Sequence, residues 1–145
     1  MKLITRNTDY AIRVLCKLAE RRRFVSTTAI SKETKVPLAF LRSILGRMIK
    51  EKIVVSKEGK NGGIRLEKSP SSINLTDIMR LFQGKVQISQ CLLRKKVCPE
   101  RKKCPLRKRL KEIESFIEKE FKKITVQTLT KKRSENEREN VLQAM

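Results

Sequence analysis

Histidine and tryptophan are absent from this 145-residue chain, acids number only 15 against 36 Lys and Arg, and glycines number five. The missing histidine excludes histidine-based acid–base and nucleophilic catalysis. No apolar run approaches the roughly 20 residues needed to cross a bilayer, so no membrane partner is expected. The few glycines form no phosphate loop beside a βαβ unit, and no substrate-pocket signature replaces it, so the chain is expected not to be an enzyme. The shortage of acid leaves a formal charge of +21 and a pI near 10.4, and such a chain expects a polyanion. The opening "MKLITRNTDYAIRVLCKLAERRRF" is basic like a secretion signal. Asp9 and Glu20 interrupt it and no small-residue cleavage site follows, so a cytoplasmic location is expected.

The order of elements narrows the polyanion to nucleic acid. Ala11, Val14, Leu15, Leu18 and Ala19 recur at helical spacing, predicting a helix over 8–21 capped by Asn7 or Thr8. Ser26 or Thr27 caps a short second helix ending near 34–35. Pro37 opens a third over 37–51, because proline at a first helical position loses no hydrogen bond. Its expected buried stripe is Leu38, Leu41, Leu45, Met48 and Ile49, and Arg42, Ser43, Arg47 and Lys50 form a polar, basic face. "IVVS" and "IRL" then read as strands joined by "KEGKNGG", a hairpin loop.

Helix, helix, turn, helix, hairpin is the order of a winged helix-turn-helix DNA-binding domain, whose third helix enters the major groove. The expected fold is mostly α with a small β-hairpin wing, followed by a long C-terminal dimerisation helix. Arg42, Ser43 and Arg47 are candidates for contacts at or near the bases of double-stranded DNA, with Lys50, Lys57 and Lys60 on phosphates. Asn74 caps a fourth helix, with Asp77 three residues later. From Leu106, the positions Leu110, Ile113, Ile117, Phe121 and Ile124 form the seam of a long amphipathic helix, which suits a homodimer. The expected organisation is a DNA-binding domain over 1–83, a cysteine-rich cluster-binding loop over 84–105, the dimerisation helix over 106–130 and a disordered tail over 131–145.

Cysteines in a cytoplasmic chain point to metal binding or redox chemistry rather than structural disulfides. Cys16 falls on an apolar helical face and is expected to pack as a small hydrophobe. Cys91, Cys98 and Cys104 are separated by six and five residues, too widely for the close ligand pairs of tetrahedral zinc. An iron–sulfur cluster is larger than one ion and prefers thiolate. Ten Lys or Arg and one acid, Glu100, fall in the stretch from Cys91 through Lys111. Positive surroundings favour the thiolate form, and proline after Cys98 and Cys104 stiffens the chain.

From "MKLITRNTDYAIRVL" through "VPLAFLRSILGRMIKEKIVVSKEGKNGGIRL" to "SSINLTDIM" and the three cysteines, the chain resembles the Rrf-type winged-helix regulators of bacteria. Cluster-binding members of that family include IscR, which regulates iron–sulfur assembly, and NsrR, which senses nitric oxide. The resemblance implies a homodimeric repressor-like regulator holding a [2Fe–2S] or [4Fe–4S] cluster between the cysteine loop and the partner's first helix. IscR-like members place a histidine three residues after the last cysteine, where this chain has Arg107, so that ligand set is excluded. NsrR-like members use a carboxylate early in the first helix, and the matching residue is Asp9. The implied ligands are Cys91, Cys98 and Cys104 with Asp9 of the other protomer, and Glu100, a water or a small thiol are alternatives for the fourth. Glu58 precedes the wing glycine where members of that family often carry arginine, and a carboxylate repels phosphate, so the resemblance does not carry a wing contact over to Glu58. Two rival readings are a metal-free thiol-based redox regulator of the same fold and a basic RNA-binding protein with a zinc knuckle.

Overall fold

A computed structural model describes residues 3–88 and 98–145. Helix α1 (Arg6–Arg21) begins three residues after Leu3 because the Thr5 hydroxyl accepts the Thr8 N–H. It therefore starts two residues before the sequence-based boundary, with Thr5 as its cap. The left-handed Arg22 ends it. Helix α2 (Thr27–Thr34) is capped by Ser26, as its hydroxyl predicts. In α3 (Leu38–Lys50), Pro37 occupies the cap position.

Strands β1 (Val54–Lys57) and β2 (Gly63–Leu66) pair antiparallel, with Val54 opposite Leu66 and Lys57 opposite Gly63. Val25, ahead of α2, adds a one-residue bridge: its N–H donates to the Ile64 carbonyl at 2.9 Å and its carbonyl accepts the Ile64 N–H at 2.8 Å. This pair fastens the wing to the helix-turn-helix. A short 3-10 turn (Pro70–Ser72) leads into α4 (Leu75–Phe82), where the Asn74 side chain accepts the Asp77 N–H as expected.

The core gathers Leu15, Leu18, Ile30, Leu41, Ile44, Met48 and Ile78 between α1, α2, α3 and α4. Burying each such side chain contributes about 1.5–3 kcal/mol. The stripe of α3 differs from expectation at three positions. Ile44 is buried, whereas Leu38 and Ile49 stay exposed. Leu41, Ile44, Leu45 and Met48 follow the three-four spacing, and Leu38 and Ile49 fall on its flanks.

The C-terminal region corrects two expectations. The dimerisation helix expected over 106–130 is two helices, α5 (Pro105–Lys123) and α6 (Val126–Ala144). Residues 131–145, expected as a disordered tail, continue α6 almost to the end, although every side chain there is exposed. The break has a local cause. Ile124 and Thr125 are extended, and backbone bonds zip them to 73–75: Leu75 N–H donates to the Ile124 carbonyl at 2.8 Å and Val126 N–H to the Ile73 carbonyl at 2.9 Å. Thr125 and Thr128 then form a reciprocal capping pair that starts α6. Val126 is buried in the core and Leu129 packs against it, so α6 returns to cover α1.

Candidate functional site

With Leu41, Ile44, Leu45 and Met48 turned inward, Ala39, Arg42, Ser43, Gly46 and Lys50 are left exposed along the outside of α3. No neighbouring atom lies within 4 Å of where a Cβ on Gly46 would stand, so this face is open. Its residues are small apart from Arg42 and Lys50, which lets the helix axis approach a groove closely. Arg47 lies differently. Its guanidinium sits 5.9 Å from the Phe82 ring and 3.5 Å from the Leu81 carbonyl, so it binds α3 to α4 from the edge of that face.

The wing loop closes through Gly62 N–H donating to the Gly59 carbonyl, and Lys57, Glu58 and Lys60 are all exposed on it. A residue that sequence reasoning passed over organises its base. Phe24 presents its ring to Arg65 at 4.7 Å and to Lys57 at 5.7 Å, holding two wing cations by cation–π attraction. Its signal was available, since it is the aromatic that follows the run Arg21–Arg22–Arg23.

Of the three clustered cysteines, Cys98 and Cys104 are described, both as half-buried free thiols, and Cys91 lies outside the described residues. Between them the chain makes tight turns, with Arg101 N–H donating to the Cys98 carbonyl and Lys103 N–H to the Glu100 carbonyl, each at 3.0 Å. Cys104 occupies the cap position of α5, with Pro105 beginning the helix. Arg107 reaches back to the Arg101 carbonyl at 3.2 Å. Asp9 sits in the first turn of α1 and pairs with Arg13 at 2.7 Å, with 44% of its side chain exposed. Among the described residues no three Cys, Asp or Glu side chains come together as a metal site.

A chain of contacts links the middle of α5 to α4 and, through α4, to the start of α1. Ile88 N–H, just ahead of the cysteine segment, donates to the Glu114 carboxylate at 2.9 Å. Glu118, one turn further along α5, pairs with Arg80, and its carbonyl accepts the Thr76 hydroxyl. At the far end of α4, the Gln83 side-chain carbonyl accepts the Thr5 N–H at 3.0 Å and the Thr8 hydroxyl at 2.7 Å, while its amide donates to the Leu3 carbonyl. Helix α4 is thus bonded to α5 on one side and to the turn carrying Asp9 on the other. Nothing local in the sequence marks Gln83, because its partners are about 80 residues away.

Cys16 is buried, and that burial pushes its thiol pKa up, against a smaller opposing pull from the Thr130 hydroxyl and Arg133 on α6. A thiol must ionise to react. Iodoacetamide at pH 8 should therefore label Cys98 and Cys104 about tenfold or more faster than Cys16. Peptide mass mapping over time checks this, and equal rates would mean that α6 does not cover Cys16 in solution.

The profile of the Rrf2 family, described as an iron-dependent transcriptional regulator, matches residues 4–132. The chain belongs to the Rrf2 family. Among similar proteins, an HTH-type transcriptional regulator from Aquifex aeolicus is 33% identical over 83% of this chain and 85% of its own length. The regulator NsrR of Bacillus licheniformis is 32% identical over 63% of this chain and 64% of its own. The IscR structure of T. potens superposes with a TM-score of 0.74 at 20% identity, covering 94% of this Rrf2 chain and 90% of that one. CymR, the global cysteine regulator of B. subtilis, does so at 0.72 and 19%, covering 90% and 98%. These structural likenesses establish the winged helix-turn-helix fold. Membership of that family, together with its similar HTH-type regulators, makes this Rrf2 protein a transcriptional regulator rather than an enzyme. Among the described residues no helix is long and apolar enough to cross a membrane.

Proposed function

We propose that two copies of the chain bind an operator in double-stranded DNA in the cytoplasm, and that an iron–sulfur cluster held by Cys91, Cys98, Cys104 and the other copy's Asp9 governs the binding. The observation that carries this reading is the position of Cys104 at the head of α5, the helix bonded to α4 through Glu118. The donor chemistry fits a cluster. Free thiols are the preferred ligands of its iron, and Cys98 and Cys104 are both free, with Cys104 at the N-terminal end of the 19-residue α5. Among the described residues, the Asp9 carboxylate is engaged only in a half-exposed pair with Arg13. Such pairs are worth about 0–1 kcal/mol, so exchanging it for another partner costs little.

When bound, the cluster supplies electron-transfer and ligand-exchange chemistry that responds to nitric oxide, redox state or iron supply. The chain's own residues carry the rest. Tension on Cys104 moves α5, Glu118 passes it to Arg80 on α4, and Gln83 and Arg47 pass it to α1 and α3. On DNA, Arg42 and Ser43 face the base edges, Lys50, Lys57 and Lys60 hold phosphates, and Arg47 contacts DNA from the rim that it shares with Phe82. Phe24 supports the reading by fixing Lys57 at the wing.

A second reading, a metal-free thiol switch, is favoured by one observation: Cys98 and Cys104 are both free and half-buried. The absorption spectrum of protein purified without oxygen, with iron and sulfide analysis, separates the two. The cluster reading expects matched iron and sulfide, lost in Cys98→Ala and perturbed in Asp9→Ala. A colourless protein that resists reconstitution and keeps four thiols would reject the cluster and leave the thiol switch.

A further inference from the structure

Between the C-terminal end of α1, strand β2, the 3-10 turn and the first turns of α6 lies a cleft of about 620 Å³, within the roughly 300–1,000 Å³ range of small-molecule sites. Its rim carries Arg22, Arg65, Lys68 and Lys131, all exposed, against one acid, Glu67. Among the described residues none of these four cations joins an ion pair. Arg22 is fixed at the left-handed end of α1, and Arg65 lies over Phe24. Ala19, Leu66 and Pro70, each half-buried, give the same cleft an apolar surface.

We propose that this cleft binds a small organic phosphate. Cations gathered around one hollow repel each other, and an anion relieves that repulsion. A guanidinium group, such as that of Arg22, matches the geometry of a phosphate better than that of a spherical ion. The apolar patch calls for an organic body beside the phosphate, and the volume accommodates one. Cations are spread over the whole surface of this chain, so it is their combination with an apolar floor that distinguishes the cleft. Its walls come from the wing strand and from α6, two parts of the fold with no backbone bond between them among those described. An occupant would tie them together and bias the wing's placement, and DNA would reciprocally change the affinity for the phosphate. This site stands whether or not the cysteines hold a cluster.

Isothermal titration of the full chain at fixed ionic strength tests it, with AMP, glucose 6-phosphate and phosphoenolpyruvate as probes and inorganic pyrophosphate as a reference without an organic body. At least one organic phosphate should bind once per chain and at least tenfold more tightly than pyrophosphate. The double change Lys68→Glu/Lys131→Glu should weaken it tenfold or more. Gln127→Trp, which fills the cleft from an exposed position without altering charge, should do the same. The control Lys32→Glu/Lys122→Glu makes an equal charge change elsewhere and should leave affinity unchanged. Overturning results are tighter binding of pyrophosphate, equal losses in both charge-reversed proteins, or no saturable binding of any of the three probes.

Discussion

A Gly63→Ala protein is expected to be about 3 kcal/mol less stable than the native chain, from a strained backbone angle and two weakened bonds. Gly63 has φ +134°, which side-chain-bearing residues rarely adopt, and a Cβ there would meet the Val25 carbonyl oxygen at 2.3 Å and its carbon at 2.5 Å. Those are backbone atoms of the bridge that fastens the wing, so relief requires Val25 and Ile64 to part. Thermal and urea unfolding measure the loss. Gly46→Ala is the control, because space around Gly46 is open and alanine favours helix. A Gly63→Ala protein as stable as the native one would mean that the wing does not dock on Val25.

The double change Ile113→Asp/Phe116→Asp should turn the proposed dimer into a monomer and weaken operator binding about a hundredfold or more, since the second half-site contact is no longer intramolecular. Leu106, Ile113 and Phe116 are 66%, 47% and 64% exposed on α5, an apolar stripe that a second copy would cover. The inner side of the helix is accounted for, with Leu110, Ile117 and Phe121 half-buried toward the head. Light scattering gives the mass, and binding to a DNA fragment selected from a random pool by the native protein gives the affinity. A variant that stays dimeric would place the subunit contact elsewhere, and Val141 and Leu142 at the end of α6 would be the next surface to alter.

The head of the molecule was legible because its signals are local. Ser26 and Asn74 carry cap chemistry in their own side chains, Pro37 announces a helix, and glycines at 59, 62 and 63 announce the hairpin. The break at 124–125 was not legible. Apolar spacing runs through Ile124 unbroken, and what ends α5 is backbone pairing with residues some 50 positions earlier. Polarity likewise suggested a tail after Lys131, whereas Val126 and Leu129 anchor the helix that contains it. At the candidate site, residue types pointed to thiolate chemistry and a basic reading helix. The Arg47–Phe82 and Asp9–Arg13 pairings, and the contacts of Gln83, depend on how elements pack.

The zip between 73–75 and 124–126 also says which parts of such a protein can be exchanged. Because Val126 completes the core around α1, a fragment ending at Phe82 would have an uncovered flank, and α6 must travel with the head in any chimera. Helix α5 lies outside that closed core, and the chain that leaves α4 at its end comes back through 124–126 to pair beside its start.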